Sequence, residues 1–185
     1  MHGKAEAVKD IVRFLGDDES GMLITGTFQC KKHYLVMAVL EQNYKNARIL
    51  FRINSMQNIA MREFTPLKKV PRAGELVRIG QNYYEFDAAF SKQTWSKTSQ
   101  SFDACIVYPI DAICSKPDIE PIQDLHKYKQ INKCFYCSWT DSPRNNYSLL
   151  ESFYTCSTVY DAEEEDPSYH KRVLDAIRRQ EQLYR

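Results

Sequence analysis

Short apolar runs alternate along this chain with segments whose apolar residues follow a helical spacing. Residues 22–25 and 47–53 are apolar runs of the length expected for strands that are covered on both faces. Between them, residues 32–42 carry apolar side chains at three- and four-residue intervals, which predicts a helix packed on a sheet. Because a strand, a helix and a strand joined by short turns form a βαβ unit, the two strands are predicted to be parallel.

The same pattern predicts further elements on both sides of this unit. Residues 4–15 have the spacing of an amphipathic helix, and residues 75–90 alternate around Gly80-Gln81-Asn82, which predicts a β-hairpin. Further strands are predicted at 102–110, 133–139 and 158–160, and further helices at 119–130, 148–154 and 168–184. We therefore expect a single α/β domain over residues 1–185, with three layers: a mostly parallel sheet covered by helices, carrying the hairpin as an insertion at about 75–90.

The composition is that of a soluble globular protein. Of the 185 residues, 43% are hydrophobic and 26% are charged, and the formal net charge is +1, so no global charge favours nucleic acid or a membrane. No apolar run approaches the roughly 18 residues of a membrane span, and the first ten residues lack the apolar core of a signal peptide. We expect a cytoplasmic protein that does not bind membranes.

Six cysteines are scattered along the chain, which predicts reduced and largely buried thiols in a cytosolic protein. Cys134 and Cys137 have the spacing of a zinc or redox pair, and His126 or Cys156 could complete a set of four ligands. However, the pair lies in a predicted strand, where residues three apart point to opposite faces. A second CxxC pair is also missing from the sequence. We therefore expect no metal site.

The turn between the first strand and the following helix partly matches a phosphate-binding loop. Gly26 and Lys32 have the correct spacing, but Lys31 replaces the second glycine and His33 replaces the hydroxyl that holds magnesium. A non-glycine residue resists the close backbone approach of a phosphate, and imidazole is a poor ligand for a hard cation. Two interpretations stay open: an ordinary strand-to-helix turn, or a degenerate loop in which these four residues bind phosphate with weak or absent magnesium.

The order of elements resembles the core of nucleoside triphosphatases of the helicase and RecA-like kind, over residues 20–142. In that family an aspartate after the third strand holds the magnesium water, and the polar end of the fourth strand senses the γ-phosphate; Asp111 and Thr140 stand at these positions. Ala112 occupies the place where many of these enzymes carry a catalytic glutamate. The resemblance implies a ligand cleft at the carboxyl ends of the strands, with catalysis lost or much reduced. The alternative is that Asp111 and Thr140 are ordinary turn residues.

Charge is divided unevenly along the chain. Residues 45–97 hold ten basic and four acidic residues, whereas residues 99–166 hold twelve acidic and five basic residues. Aromatic side chains interleave with the basic ones around the hairpin, a pattern typical of nucleic-acid contacts. The candidate contacts are Arg78, Tyr83, Tyr84, Lys92, Trp95 and Lys97. The alternative is that these aromatics fill the core beneath the hairpin.

The leading functional hypothesis is a non-catalytic or weakly catalytic protein that binds a phosphate, a nucleotide such as ATP, or nucleic acid through the degenerate loop. A second hypothesis is a protein-interaction or regulatory subunit without a small-molecule ligand. The third is a metal-dependent nuclease that uses Glu85, Asp87 and Asp103.

Overall fold

A single sheet forms the centre of the computed structural model, which describes residues 2–142 and 144–183. Its strands are β1 (Gly21–Thr25), β2 (Arg48–Ile53), β3 (Val77–Ile79), β4 (Asn82–Ala88), β5 (Ser101–Tyr108), β6 (Gln130–Cys137) and β7 (Cys156–Val159). The helices are α1 (Lys4–Gly16), α2 (Lys32–Asn43), α3 (Lys92–Trp95), α4 (Asp111–Cys114), α5 (Glu120–Tyr128) and α6 (Pro167–Leu183). No helix in the described part of the chain is long and apolar enough to cross a membrane.

The strands lie in the order β3-β4-β2-β5-β6-β1-β7. Every neighbouring pair is parallel except β3 and β4, which form the antiparallel hairpin predicted around Gly80. The hairpin is built into the sheet, because β4 also pairs in parallel with β2. The predicted α/β class with a mostly parallel sheet is confirmed.

Two hydrophobic cores, one on each face of the sheet, give the fold its three layers. Along β6, Phe135 and Cys137 belong to one core, whereas Cys134 and Tyr136 belong to the other, as expected when successive side chains of a strand point to opposite faces. Helices α1 and α2 contribute to the first core, and α4 and α5 to the second. The phenyl rings of Phe14 in α1 and Phe135 meet edge to face, with centroids 5.2 Å apart.

A buried lysine fixes the point where the chain enters β1. The ammonium group of Lys133, on β6, donates hydrogen bonds to the carbonyl oxygens of Phe14, Asp17 and Glu19, at the end of α1 and in the turn that follows it. The last carbonyls of a helix have no partner within the helix, so a cation at this place satisfies them. Lys133 thereby holds the end of α1 against the sheet and sets the position of β1.

Four connections meet at the edge of the sheet formed by the carboxyl-terminal ends of its strands, because β1, β5, β6 and β7 are parallel and end on the same side. The turn at 26–31 follows β1, and α4 begins at Asp111 shortly after β5. Residues 138–142 follow β6, and residues 160–166 join β7 to α6. This edge contains the turn that resembles a phosphate-binding loop.

Candidate phosphate-loop site

The turn after β1 is packed tightly against the end of β7. Gly26 has a φ of +116°, and a Cβ atom at this position would lie 2.4 Å from the carbonyl oxygen of Tyr160. The Phe28 N–H donates to the same carbonyl oxygen, at 3.3 Å. A single 3-10 turn, Gln29–Lys31, then leads into α2. Packing against β7 is therefore sufficient to require glycine at position 26.

Two carboxylates of the protein accept hydrogen bonds from the backbone of this turn. The Gly26 N–H donates to Oδ2 of Asp141 at 2.5 Å, and the Thr27 N–H donates to Oδ1 of Asp161 at 2.8 Å. Oδ1 of Asp141 also accepts a bond from the Ser138 hydroxyl, at 2.7 Å. Backbone N–H groups of this kind are the donors that wrap phosphates in a phosphate-binding loop. Here the carboxylates of Asp141 and Asp161 are their acceptors.

Lys32 points into the same network from the first turn of α2. Its side chain is fully buried, and its ammonium group donates to the carbonyl oxygen of Gly26 and, at 3.3 Å, to that of Trp139. Burial lowers the pKa of Lys32, and the negative charges of Asp141 and Asp111 oppose this shift. The lysine that matches the motif thus bonds to the loop itself.

His33, the other notable motif position, is part of the core. Its ring stacks on Tyr108 with centroids 3.8 Å apart, and no solvent reaches the side chain. Among the described residues, neither ring nitrogen has a hydrogen-bond partner. Burial lowers the pKa of His33 to about 3, so the ring is neutral near pH 7; the nearby Phe64 backbone, too poorly placed for a regular hydrogen bond, opposes this shift, and the charges of Lys32 and Lys31 add to it. Lys31 lies on the surface with its side chain exposed.

Asp111 joins the ends of β5 and β6. Its carboxylate accepts hydrogen bonds from the N–H groups of Trp139 and Thr140 and from the side-chain amide of Asn145, the last at 2.8 Å. Burial raises the pKa of Asp111, while the two backbone hydrogen bonds lower it. The Thr140 hydroxyl in turn accepts a bond from the Gln29 amide at 2.5 Å. Asp111 and Thr140 therefore lie in the same network as Gly26 and Lys32.

The first turn of α6 covers the loop. Tyr169 donates a hydrogen bond from its hydroxyl to Oε1 of Gln29 at 2.8 Å, and Nδ1 of His170 lies 2.7 Å from the Thr27 hydroxyl oxygen. The rings of Phe28 and Tyr169 have centroids 5.8 Å apart. Sequence reasoning missed the contributions of Asp161, Tyr169 and His170 to this site. The acidic stretch from Asp161 to Asp166 was a local signal, but nothing in it indicated contact with a turn more than 130 residues away.

The candidate nucleic-acid contacts are divided between surface and core. Tyr84 is 2% exposed, and Trp95 is buried with its indole N–H donating to the Ala88 carbonyl oxygen at 2.8 Å. Arg78 is exposed, with its guanidinium 5.9 Å from the centre of the half-buried Tyr83 ring. Two lysines also lie on the surface, of which Lys92 is paired with Glu120 and Lys97 forms no ion pair within the described residues. The structure therefore does not gather these six side chains into one exposed surface.

The carboxylates of the nuclease hypothesis each have a protein partner. Glu85 accepts a hydrogen bond from Arg48 at 2.6 Å, and the Asp103 carboxylate accepts one from the Arg48 backbone N–H at 2.7 Å. Asp87 forms a bidentate ion pair with Arg52, and both side chains are fully buried. Across residues 2–142 and 144–183, no group of three or more histidine, cysteine, aspartate or glutamate side chains is placed to hold a metal ion.

Comparison with known proteins yields a likeness in fold. No protein-family model and no curated protein sequence matches the chain. A large terminase from a thermophilic bacteriophage superposes on 95% of this chain with a TM-score of 0.61 and 12% sequence identity. The same terminase in complex with ADP superposes on 97% of the chain with a TM-score of 0.58 and 13% identity.

The chain is similar in fold to this phage terminase. It spans about half of the terminase, 49% and 50% of that chain in the two structures. The likeness, together with the parallel sheet and the turn after β1, agrees with the fold of distant phosphate-loop nucleoside triphosphatases that the order of elements predicted.

Proposed function

We propose that this chain is a binding domain without hydrolytic activity, whose loop takes up a phosphate group only in exchange for one of its own carboxylates. The observation that carries the proposal is the pair of hydrogen bonds from the Gly26 and Thr27 N–H groups to Asp141 and Asp161. These donors, with the Lys32 ammonium beside them, form a site built for an anion. A phosphate offers the same donors more oxygen acceptors than a carboxylate does.

The absence of hydrolysis follows from the positions that would carry the chemistry. In the nucleoside triphosphatases that the chain resembles, magnesium is held by a hydroxyl at the place of His33 and by a water on the aspartate at the place of Asp111. His33 is buried against Tyr108, and the Asp111 carboxylate accepts hydrogen bonds from Trp139, Thr140 and Asn145. Binding of a phosphate is therefore supported better than its transfer.

Asp161 is the carboxylate that exchanges. Within the described residues its carboxylate accepts one hydrogen bond, from the Thr27 backbone N–H, and the residue is half-buried in the connection between β7 and α6. Asp141 accepts bonds from the Gly26 N–H and the Ser138 hydroxyl, and the Tyr147 hydroxyl lies 3.4 Å away. Because fewer contacts hold Asp161, its displacement costs less than that of Asp141.

A thermal-unfolding titration with ATP, ADP and inorganic phosphate, with and without magnesium, tests the proposal. A ligand that binds only the folded state stabilises it by about 2.7 kcal/mol at a hundred times its dissociation constant. We expect a small shift for the wild type and about tenfold tighter binding in Asp161→Asn, because that variant removes the competing charge. ADP is the first ligand to test, since the similar terminase was solved in complex with it.

Glu163→Gln is the matched control, because it removes the same charge, two residues away, from a side chain that is exposed. Lys32→Met removes the ammonium group and is expected to abolish the shift. If Asp161→Asn and the wild type both show no shift with any phosphate-bearing ligand, the exchange proposal is wrong. Release of phosphate from ATP by the wild type, lost in Lys32→Met, would overturn the non-catalytic part.

The closure of the loop also favours a second candidate, a protein-interaction or regulatory subunit without a small-molecule ligand. The loop N–H groups of Gly26 and Thr27 have acceptors inside the protein, and Tyr169 and His170 cover the turn. In that function the network would only hold α6 on the sheet. A stable protein partner recovered by affinity purification, with no ligand shift in any variant, would support it.

A further inference from the structure

A cleft of about 790 Å³ lies between the phosphate loop and the long connection that joins β2 to β3. Its walls include Lys31 from the loop, Tyr34 from α2, and Arg62, Leu67 and Lys68 from the connection. A second depression of about 390 Å³ continues from Leu67 and Lys68 along residues 69–71 to Val77. We call the two together the basic cleft.

Four cations border the basic cleft: Lys31, Arg62, Lys68 and Lys69. All four side chains are exposed, and within residues 2–142 and 144–183 none of them forms an ion pair. The nearby acids are Glu63, whose charge acts on Cys30 and Tyr34, and Glu75, which lines the second depression and accepts a bond from the Arg72 N–H. The cleft thus carries more positive than negative charge although the whole chain is nearly neutral.

Aromatic and apolar groups accompany these cations. The Tyr34 ring lines the cleft, and its hydroxyl donates to the Arg62 carbonyl oxygen at 2.7 Å, which fixes the ring in place. Leu67 lines both depressions, and Val70, next in sequence to Lys69, lines the second and is 45% exposed. Such large apolar exposure beside unpaired cations suits a ligand that carries both negative charge and flat apolar surface.

The connection is anchored, so the cleft exists before any ligand arrives. Phe64 is buried against Tyr108 and Trp139, with ring centroids 5.5 and 5.6 Å apart. The Thr65 hydroxyl donates to the Ile59 carbonyl oxygen at 2.6 Å and accepts a bond from the Leu67 N–H at 3.0 Å. A preformed concave surface binds at a lower cost in conformational entropy than a mobile loop does.

We propose that the basic cleft binds single-stranded nucleic acid, with its cations on the phosphates and with Tyr34 and Leu67 against the bases. Several cations along one cleft match the repeated charge of a phosphodiester backbone, and the aromatic and apolar groups match unpaired bases. A flat bilayer cannot enter a cleft, and an acidic peptide would leave the apolar groups without a partner. This site is distinct from the loop amides, so it does not depend on the exchange of Asp161.

Fluorescence anisotropy with dye-labelled single-stranded DNA and RNA oligonucleotides, measured over a series of salt concentrations, tests the proposal. We expect the wild type to bind and the double variant Lys68→Gln, Lys69→Gln to bind about tenfold more weakly at low salt. Log affinity falls as log salt rises, and for single strands each lost phosphate contact reduces the steepness of this fall by about 0.7. The double variant should therefore have a slope about 1.4 smaller.

The double variant Lys4→Gln, Lys9→Gln is the matched control. It removes the same charge from exposed lysines of α1 that do not line the basic cleft. An equal loss of affinity in both double variants would reduce the effect to net charge and overturn the proposal. So would the absence of oligonucleotide binding by the wild type, or binding only to polyglutamate or to vesicles of anionic lipid.

Lys32→Met distinguishes this site from the loop. Oligonucleotide binding that persists in Lys32→Met and falls in the Lys68→Gln, Lys69→Gln variant belongs to the basic cleft. Binding that is lost in Lys32→Met and kept in the other variant belongs to the loop, and the cleft proposal would then be wrong.

Discussion

The carboxylate of Asp161 accepts the backbone N–H of Thr27 at 2.8 Å, across 134 positions of the sequence. This bond joins the turn after β1 to the connection that leaves β7, and the Ala162 N–H reinforces it by donating to the Thr27 hydroxyl at 3.0 Å. The turn that resembles a phosphate-binding loop is therefore stabilised by the protein's own acidic residue.

Removal of the Asp161 carboxylate is expected to destabilise the fold. In Asp161→Ala the buried Thr27 N–H loses its acceptor, which should lower the free energy of unfolding by about 1–3 kcal/mol. Denaturant unfolding measures the loss. The exposed Glu163→Ala is the control and should stay within about 0.5 kcal/mol of the wild type. Equal stability of Asp161→Ala and the wild type would show that the bond contributes nothing to the fold.

His33 should make the protein sensitive to acid. Its pKa is about 3 in the folded protein and 6.5 in an unfolded chain, so between these values the unfolded state binds more protons. The contribution of His33 to the free energy of unfolding is therefore fully present above about pH 6.5 and is lost as the pH falls toward 3. The slope from this single group is up to about 1.4 kcal/mol per pH unit.

The variant His33→Phe keeps a ring against Tyr108 and cannot be protonated. We expect its free energy of unfolding to fall less steeply than that of the wild type between about pH 6 and pH 4. The difference in slope should correspond to about one proton fewer taken up on unfolding. The other acidic groups, including Asp87 and Asp111, are present in both proteins and cancel in the difference. Identical slopes in the two proteins would mean that His33 takes up a proton in the folded state.

Gly26→Ala should destabilise the fold without any ligand present. The added Cβ would lie 2.4 Å from the Tyr160 carbonyl oxygen at a φ of +116°, so the backbone has to move. We expect a loss of about 3 kcal/mol or more in thermal or denaturant unfolding. Gly16→Ala is the control, because a Cβ there meets no atom within 4 Å and should be neutral or stabilising by up to about 1 kcal/mol. A Gly26→Ala variant as stable as Gly16→Ala would contradict the packing described here.

Asp87 contributes to stability through Arg52. Both side chains are fully buried, so Asp87→Asn leaves the guanidinium with Asp124 as its one ionic partner in the described part of the chain and should cost about 3–5 kcal/mol. Glu120→Gln, which disturbs the exposed pair with Lys92, should cost less than about 1 kcal/mol. Chemical denaturation of both variants gives the comparison. A cost for Asp87→Asn no larger than that for Glu120→Gln would disprove the structural role.

Local patterns in the sequence were sufficient for the elements but not for the contacts between their ends. The apolar spacing at 22–25, 32–42 and 47–53 predicted β1, α2 and β2, because burial of one face leaves a period in the sequence. The period of apolar residues does not predict the order of the strands in the sheet. The order β6-β1-β7 is what brings Asp161 to Thr27.

Side-chain direction was equally hard to predict at His33 and Trp95. Helix α2 is buried on more than one stripe, so its spacing does not tell whether position 33 faces a ligand or the core. Trp95 was a candidate nucleic-acid contact because it stands among basic residues, yet its ring packs under the guanidinium of Arg52 at 4.7 Å. Both placements depend on partners from other strands, which periodicity does not report.

The close approach of Gly26 to β7 affects how protein sequences are searched. Selection for a stable fold alone would retain this glycine, since any side chain would collide with the Tyr160 carbonyl oxygen. Lys32 is held by the Gly26 and Trp139 carbonyl oxygens and would be retained for the same reason. In descendants of such a chain, the glycine and lysine of the motif would outlast nucleotide binding, and a motif search would assign a ligand that the protein had already lost.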